Sequence, residues 1–595
     1  MNRPLFIPLA AVLVLASPRA QDPVEPAPTA PAKLKVDRVD LEGSYADLPE
    51  QGFDLTALLA GGGKPPKDFY AMRAKLEELA KGRADSPVLL DLAQPVDLNG
   101  AQLAELARTI AKIRASGRRT YAYLENGGPV HLQLAAMCDE VLMAEMGVLD
   151  VAAPSLSVSF LKDLFDLLGV RFDVVRCGDF KGAVEPYVLP RMSDHLREHY
   201  LQMVARMNRE LVERVATGRN LTADKVRALQ AQRVVLAHEA KAAGLVDRLV
   251  PWVGANAALQ AALGRDDVEF HAVLAPAKKR QSFNPMAILA ELFAPKKDKE
   301  IEEPSIAVVH LNGGIVDGKE AQPGSMVSGA TVKLIRQVAD DANIKAVVLR
   351  VNSPGGSATA SEAIRVALTD LAAKKPVVFS MGRVAGSGGY WITCIGRPIL
   401  AEVGTITGSI GVFGLKPDLG ALFRRVGMHE EMVALDPSAA MTSPSRGWTE
   451  AEQARMQQMV DGVYERFLAL VAKSRGLTVD AVLPLAGGRV YSGDHAVELR
   501  LVDKVGGLDE ALAMVRKEAG LADDVAVTHL PRPRSFMDAM VEQLVSARSL
   551  VPEGPARVLL ARLGPVPAAM TVLQDVLAGG GVPRVWALTP DVTLR

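Results

Sequence analysis

Ser380-Met381-Gly382-Arg383-Val384-Ala385-Gly386-Ser387-Gly388-Gly389-Tyr390-Trp391 places one serine, Ser387, in front of two glycines and just after the apolar run Pro376–Ser380. The run reads as a strand, so the serine falls on a strand-to-helix turn. Upstream, Arg350-Val351-Asn352-Ser353-Pro354-Gly355-Gly356 closes a second apolar strand, Ala346–Val351. An exposed hydroxyl at a helix start and a glycine pair on a neighbouring strand are what acyl transfer to serine requires. The glycines let backbone N–H groups approach an oxyanion closely. No histidine lies near either motif, so the general base has to come from elsewhere.

The chain reads as built twice. In residues 86–250 and 305–510 an apolar strand (Val88–Leu92, against Val347–Val351) leads to a helix and a basic turn. A second strand follows (Arg119–Tyr123, against Pro376–Ser380), then a helix and a matched pair, Leu142–Gly147 and Ile399–Gly404. Both halves close on a Leu-Val-Asp phrase, at Gly244–Asp247 and Leu499–Asp503. A repeat of this length is a duplicated domain, not a solenoid unit.

Overlaying the halves exposes complementary gaps. Ser387 falls near Val130, so the first half lacks a nucleophile. The first-half phrase Arg176–Pro186, with Lys181, falls near Ser438–Ala440, so the second half lacks that lysine. Each repeat then holds half of a Ser-Lys dyad. A lysine acts as a base only if its pKa falls from about 10.4 to near 7, which burial at an interface between repeats can achieve.

These motifs resemble the long, duplicated form of bacterial signal peptide peptidases of the A type, serine proteases of the Clp/crotonase superfamily. The likeness covers roughly residues 85–520 and is strongest at Arg350–Gly356, Ser387–Trp391, Thr405–Gly411 and Gly178–Pro186. The resemblance implies that Ser387 is the nucleophile, Lys181 the general base and Ser409 the lysine's hydrogen-bond partner. It implies an oxyanion hole at Gly355 and Gly356, substrate contacts at Gly388 and Ile410, and neither metal nor cofactor. It further implies two crotonase-like repeats per chain, four chains assembled around an enclosed cavity, and substrates that are spent signal peptides and other extended apolar chains. Gly182 departs from the pattern, standing where a serine or another small polar residue is expected.

Each residue has an ordinary alternative. Ser387 alone would be a helix cap, Gly355-Gly356 a turn, Lys181 a solvated lysine and Ser409 a loop residue bonding locally. The complementary gaps favour the chemical reading. Tyr390 and Trp391 are expected to pack under the nucleophile helix, and Arg350 and Glu185 to orient loops.

Alternating strands and helices give an α/β fold with parallel sheets and right-handed crossovers, in two tandem repeats. The expected organisation has an N-terminal signal or anchor at 1–20 and a linker and N-terminal segment at 21–84. The first repeat then spans 85–265, a connector 266–303, the second repeat 304–520 and a helical tail 521–595. The run Leu5–Ala16 is too short for an ordinary span and suits a secretory segment, either cleaved near Ala20 or kept as an anchor. The protein is thus expected at the periplasmic face of a bacterial inner membrane. The connector's Met286–Phe293, flanked by basic residues, could rest on a membrane surface or pack between domains. With 68 basic and 69 acidic residues and no basic stripe, nucleic acid is excluded as a partner. The cysteines, Cys138, Cys177 and Cys394, read as core residues, since three cannot all pair and none has zinc spacing. Two rivals are an acyl-CoA enzyme of the same superfamily, which the secretory N-terminus opposes, and an inactive scaffold binding membrane protein segments, which the intact motifs oppose.

Overall fold

Runs such as Ile306–Leu311 and Ala346–Val351 carry apolar side chains at consecutive positions, so as strands they must be covered on both faces. Both are. The computed structural model describes residues 33–49, 65–274 and 301–532, with the backbone of two short strands near the C-terminus. Leu5–Ala16, Met286–Phe293 and the tail stretches Phe536–Leu544, Ala556–Leu563 and Met570–Leu577 lie outside the described residues. No helix among the described residues is long and apolar enough to cross a membrane.

The first repeat runs β1 (Leu34–Asp40), α1 (Phe69–Leu79), β2 (Val88–Asp91), α2 (Gly100–Ala115), β3 (Thr120–Leu124), α3 (Pro129–Ala136) and β4 (Glu140–Ala144). It continues through β5 (Arg171–Arg176), α4 (Asp194–Arg219), β6 (Arg248–Val250) and β7 (Val268–Ala272). The second repeat opens with β8 (Ser305–Asn312), β9 (Gly314–Val316), β10 (Ile344–Ser353), β11 (Gly355–Ser357), α5 (Ala358–Lys374), β12 (Val377–Gly386) and α6 (Gly388–Trp391). Next come β13 (Ile399–Ala401), β14 (Ile406–Gly408), β15 (Phe413–Asp418), α7 (Glu450–Arg475), β16 (Val490–Ser492), β17 (Lys504–Val505), α8 (Leu508–Ala519) and β18 (Ala526–Leu530). Two tail strands follow, β19 (Trp586–Leu588) and β20 (Thr593–Leu594).

The two central sheets repeat each other strand for strand. The first is ordered β6-β4-β3-β2-β1-β7 and the second β17-β13-β12-β10-β8-β18, every neighbouring pair being parallel. The fold is α/β, as the alternation predicts. The repeats extend further than the sequence reading places them. β1 lies within 21–84, β7 within the connector and β18 within the tail, yet each completes a sheet. Leu34–Asp40 alternates charged and apolar residues, so no apolar run announces it. Antiparallel pairs occur outside the central order, at β14–β16 and at β5–β15.

The repeats are fused by a shared core. Leu76, Leu103, Leu106 and Ile110 of α1 and α2 belong to the same apolar cluster as Ile306, Val308, Ala346 and Val348 of the second sheet. α2 starts cleanly because Asn99 and Gln102 form a reciprocal cap, each side chain accepting the other's backbone N–H. Beneath α2 lies a buried charge network. Arg350 Nε donates to Asp47 Oδ2 at 2.7 Å, and its Nη1 lies 3.0 Å from Glu105 Oε1. Burial alone would raise the Asp47 carboxyl, but the Arg350 charge and hydrogen bond outweigh it and hold Asp47 below its usual range. The three cysteines are buried and unpaired.

Removing one partner of a buried pair leaves the other charge uncompensated. Asp47→Ala is therefore expected to cost about 3 kcal/mol or more. A urea titration read by circular dichroism checks this; an unchanged midpoint would remove Asp47 from the network that joins the repeats.

Candidate active site

Two loops from different repeats meet because strands pair across the duplication. β5 lies antiparallel to β15 from Arg171↔Asp418 to Arg176↔Phe413. The ladder runs on as Cys177 N donates to Val412 O at 3.0 Å. The chain then turns through Gly178, and Phe180 N donates to Gly487 O at 3.0 Å. Those bonds point Lys181 into the second repeat.

There its Nζ lies 2.8 Å from Ser387 Oγ, 3.0 Å from Ser409 Oγ and 3.1 Å from the Ser409 carbonyl oxygen. All three residues are fully buried. Among the described residues no carboxylate is hydrogen-bonded to the amine, and burial pushes the lysine pKa well below its ordinary value. A neutral amine within reach of a serine hydroxyl can accept its proton.

Ser387 follows the last residue of β12 and precedes α6. Its backbone is left-handed, at φ 54° and ψ −115°, a conformation costing about 1–3 kcal/mol in a non-glycine residue. Bonds on either side over-determine it: Ser387 N donates to Gly408 O, and Trp391 N donates to Ser387 O, both at 2.8 Å. Tyr390 and Trp391 do pack beneath the turn. The Tyr390 hydroxyl donates to Leu501 O at 2.7 Å, and Trp391 Nε1 donates to Glu362 Oε2 at 2.8 Å.

The glycine pair lies beside this turn. Gly355 N donates to Ser353 Oγ at 3.2 Å, so that amide already has a partner. Both glycines neighbour the Ser387 turn: a Cβ on Gly388 would lie 3.1 Å from Gly356 N and 3.2 Å from Gly355 Cα. A Cβ on Gly356 itself would lie 2.0 Å from Ile315 O, so only glycine fits. The strand that carries Gly355 and Gly356 thus lies directly against the turn at Gly388. Ile410 is buried in the apolar core, its carbonyl accepting from Gly488 N at 2.9 Å. Arg350 and Glu185 orient chain segments, the latter accepting from Ser193 N at 3.0 Å and from Ser193 Oγ at 2.6 Å.

Several supporting residues escaped the sequence reading. The Phe180 ring packs edge-on to His195 and His199, whose Nε2 atoms lie 2.8 Å from the carbonyls of Asp179 and Val490. Arg489 covers the same ring at 3.8 Å. Gly487 and Gly488 press against the lysine loop, a Cβ on Gly488 falling 2.5 Å from Lys181 N. The first repeat has Ala231-Gln232 before its matching Arg233-Val234, so the glycines were one more difference between the halves available for comparison. Among the described residues, no group of three or more His, Cys, Asp or Glu side chains gathers as a metal site would require.

Gly182 now has a reason. A Cβ there would lie 2.4 Å from Leu196 Cδ2 and 3.0 Å from Tyr200 Oη, so α4 fills the space a serine would need. Gly182→Ser is expected to overpack the site by about 1–3 kcal/mol and displace the lysine. Adding Leu196→Ala should restore part of both stability and amine position, read by thermal denaturation and by the activity tested below.

A model of Peptidase family S49 matches residues 113–265 and again 369–522. Protease 4 of Salmonella typhi is 28% identical over 554 residues, 90% of this chain and 86% of the relative. Protease 4 of Haemophilus influenzae is 31% identical over 518 residues, 83% of this chain and 80% of its own. The chloroplastic serine protease SPPA of Arabidopsis thaliana is 26% identical over 479 residues, 76% and 66% of the two chains. The match occurs twice, once within each repeat, and the chain belongs to peptidase family S49.

Proposed function

We propose that this chain is a serine endopeptidase working through a Ser387–Lys181 dyad, and that its substrates are spent signal peptides and other extended, apolar peptides at the cell envelope. The single observation that carries the reading is Lys181 Nζ, buried with no counter-charge among the described residues and 2.8 Å from Ser387 Oγ. Neutral Lys181 takes the hydroxyl proton as Oγ attacks the peptide carbonyl. The Gly356 and Gly388 amides receive the oxyanion, each good donor contributing about 3–4 kcal/mol. Protonated Lys181 is then stabilised by the Ser409 hydroxyl and carbonyl, and returns the proton to the leaving amine. Water, activated by the same amine, hydrolyses the acyl-enzyme. The apolar N-terminal run supports export, and assembly into a homotetramer is part of the proposal, to be checked by light scattering.

Hydrolysis of a fluorogenic apolar peptide across pH tests the dyad. kcat/KM should rise with pH as Lys181 loses its proton, with a midpoint well below the ordinary lysine value because burial disfavours the charged form. Ser387→Ala should lower kcat by about 10³-fold or more. An active Lys181→Ala enzyme would sink the dyad.

Lys181→Met separates chemistry from folding. Between the folded and unfolded pKa values the unfolded chain binds the extra proton, so this group's contribution to stability rises with pH there and is lost on acidification. At pH 7 the methionine variant should melt at or above the parent temperature while losing activity. A markedly lower melting temperature would mean that the amine's hydrogen bonds outweigh its deprotonation.

A further inference from the structure

A third sheet crosses the active site, ordered β5-β15-β19-β11-β9 with Ser325–Val327 outermost. Its middle member, β19, comes from the far C-terminus. It pairs antiparallel with β11 at Gly355↔Leu588, Gly356↔Ala587 and Ser357↔Trp586, and with β15 at Phe413↔Trp586. The slot it fills is therefore bounded by the glycine strand beside Ser387 and by the strand that follows Ser409-Ile410-Gly411. An extended backbone in this slot finds neighbouring strands on both sides, the arrangement by which peptides are held as an added strand.

Two further observations concern the same place. The tail runs from opposite Ser357 to opposite Gly355, so Ala587 is in register with Gly356, the glycine packed against Gly388. Beyond it, β20 pairs antiparallel with Leu156–Ser157 of the first repeat. Ser387, Lys181 and Ser409 have no exposed surface, so an incoming peptide reaches them only by displacing chain that covers them. The sequence Val585-Trp586-Ala587-Leu588 is itself uncharged and apolar.

We propose that the slot between β11 and β15 is the peptide-binding groove, and that the chain's own segment Trp586–Leu588 occupies it in cis as a tethered competitor of substrate. This rests on the peptidase reading for its consequence, though not for its geometry. Competition makes the apparent KM equal to the intrinsic value divided by the fraction of groove left free. Half occupancy then doubles KM, and nine-tenths occupancy raises it about tenfold.

Two full-length variants test it. Ala587→Pro with Leu588→Pro removes consecutive ladder N–H groups from β19. KM for the fluorogenic peptide should fall about twofold to tenfold with kcat little changed, and a synthetic peptide of residues 584–595 should then inhibit competitively. Ser357→Cys with Trp586→Cys puts thiols at opposed positions of the ladder. Mild oxidation should join them within one chain, seen by mass spectrometry of the monomer band, and should suppress turnover until reductant is added. If the cysteines do not join within a chain and the proline variant keeps its KM, the proposal is overturned. A cross-linked chain without peptide hydrolysis in any variant would uphold the tail's place in the groove and overturn the peptidase reading.

Discussion

The antiparallel ladder between Arg171–Arg176 and Phe413–Asp418 is the constraint on which the site depends. A lysine cannot be carried into an apolar interior as a charge without a penalty of several kcal/mol, so a buried lysine either finds a carboxylate or gives up its proton. The partners of Lys181 are two hydroxyls and a carbonyl. An aspartate at position 409 would restore the charge and remove the base that the proposed mechanism needs. The ladder therefore has to deliver the amine to an uncharged place, and the interface between the repeats offers one beside Ser387.

Duplication makes this affordable in sequence terms while leaving the halves unequal. The matched glutamates show how. Glu402 is buried and paired with Arg108 of the first repeat, whereas its counterpart Glu145 is exposed. Gly100 and Gly404 meet backbone to backbone, and a side chain on either would push the repeats apart. Buried pairs such as Arg350 with Asp47 and Glu105 add little net stability over an apolar core of equal volume, because desolvation consumes the attraction. Their value is in register. Asp47 Oδ2 also accepts from Asn352 Nδ2 at 2.9 Å, and Asn352 Oδ1 accepts from Arg383 N at 2.6 Å. One carboxylate thus ties β10 and β12, the strands that lead into the glycine pair and Ser387.

Much of this was legible from residues alone. Strands buried on both faces announce themselves as apolar runs, and glycines mark where backbone must come close, so β10, β12, Gly355–Gly356 and Ser387 could be placed. Lys181 was legible only by comparing the repeats. What stayed hidden shares one property: it depends on pairing distant in sequence. Leu34–Asp40 looks like a polar segment until the sheet supplies its neighbours. Gly182 looks anomalous until Leu196 and Tyr200 occupy the missing volume. The β5–β15 ladder joins Arg-Phe-Asp-Val-Val-Arg to Phe-Gly-Leu-Lys-Pro-Asp, and neither segment names the other.

The short helix after Ser387 bears on how an oxyanion would be held in the proposed mechanism. A macrodipole needs aligned peptide units, and α6 has only four residues, Gly388–Trp391. Its field is correspondingly small, so stabilisation falls to individual N–H groups at the turn, not to a helix end. That is why the left-handed backbone of Ser387 matters. It aims the Gly388 region at Gly356, whose own position admits no Cβ against Ile315 O. Strain at the serine and the glycine at 356 are two sides of one requirement: the two segments must approach closely, and in the proposed mechanism that approach lets backbone amides hold one oxygen.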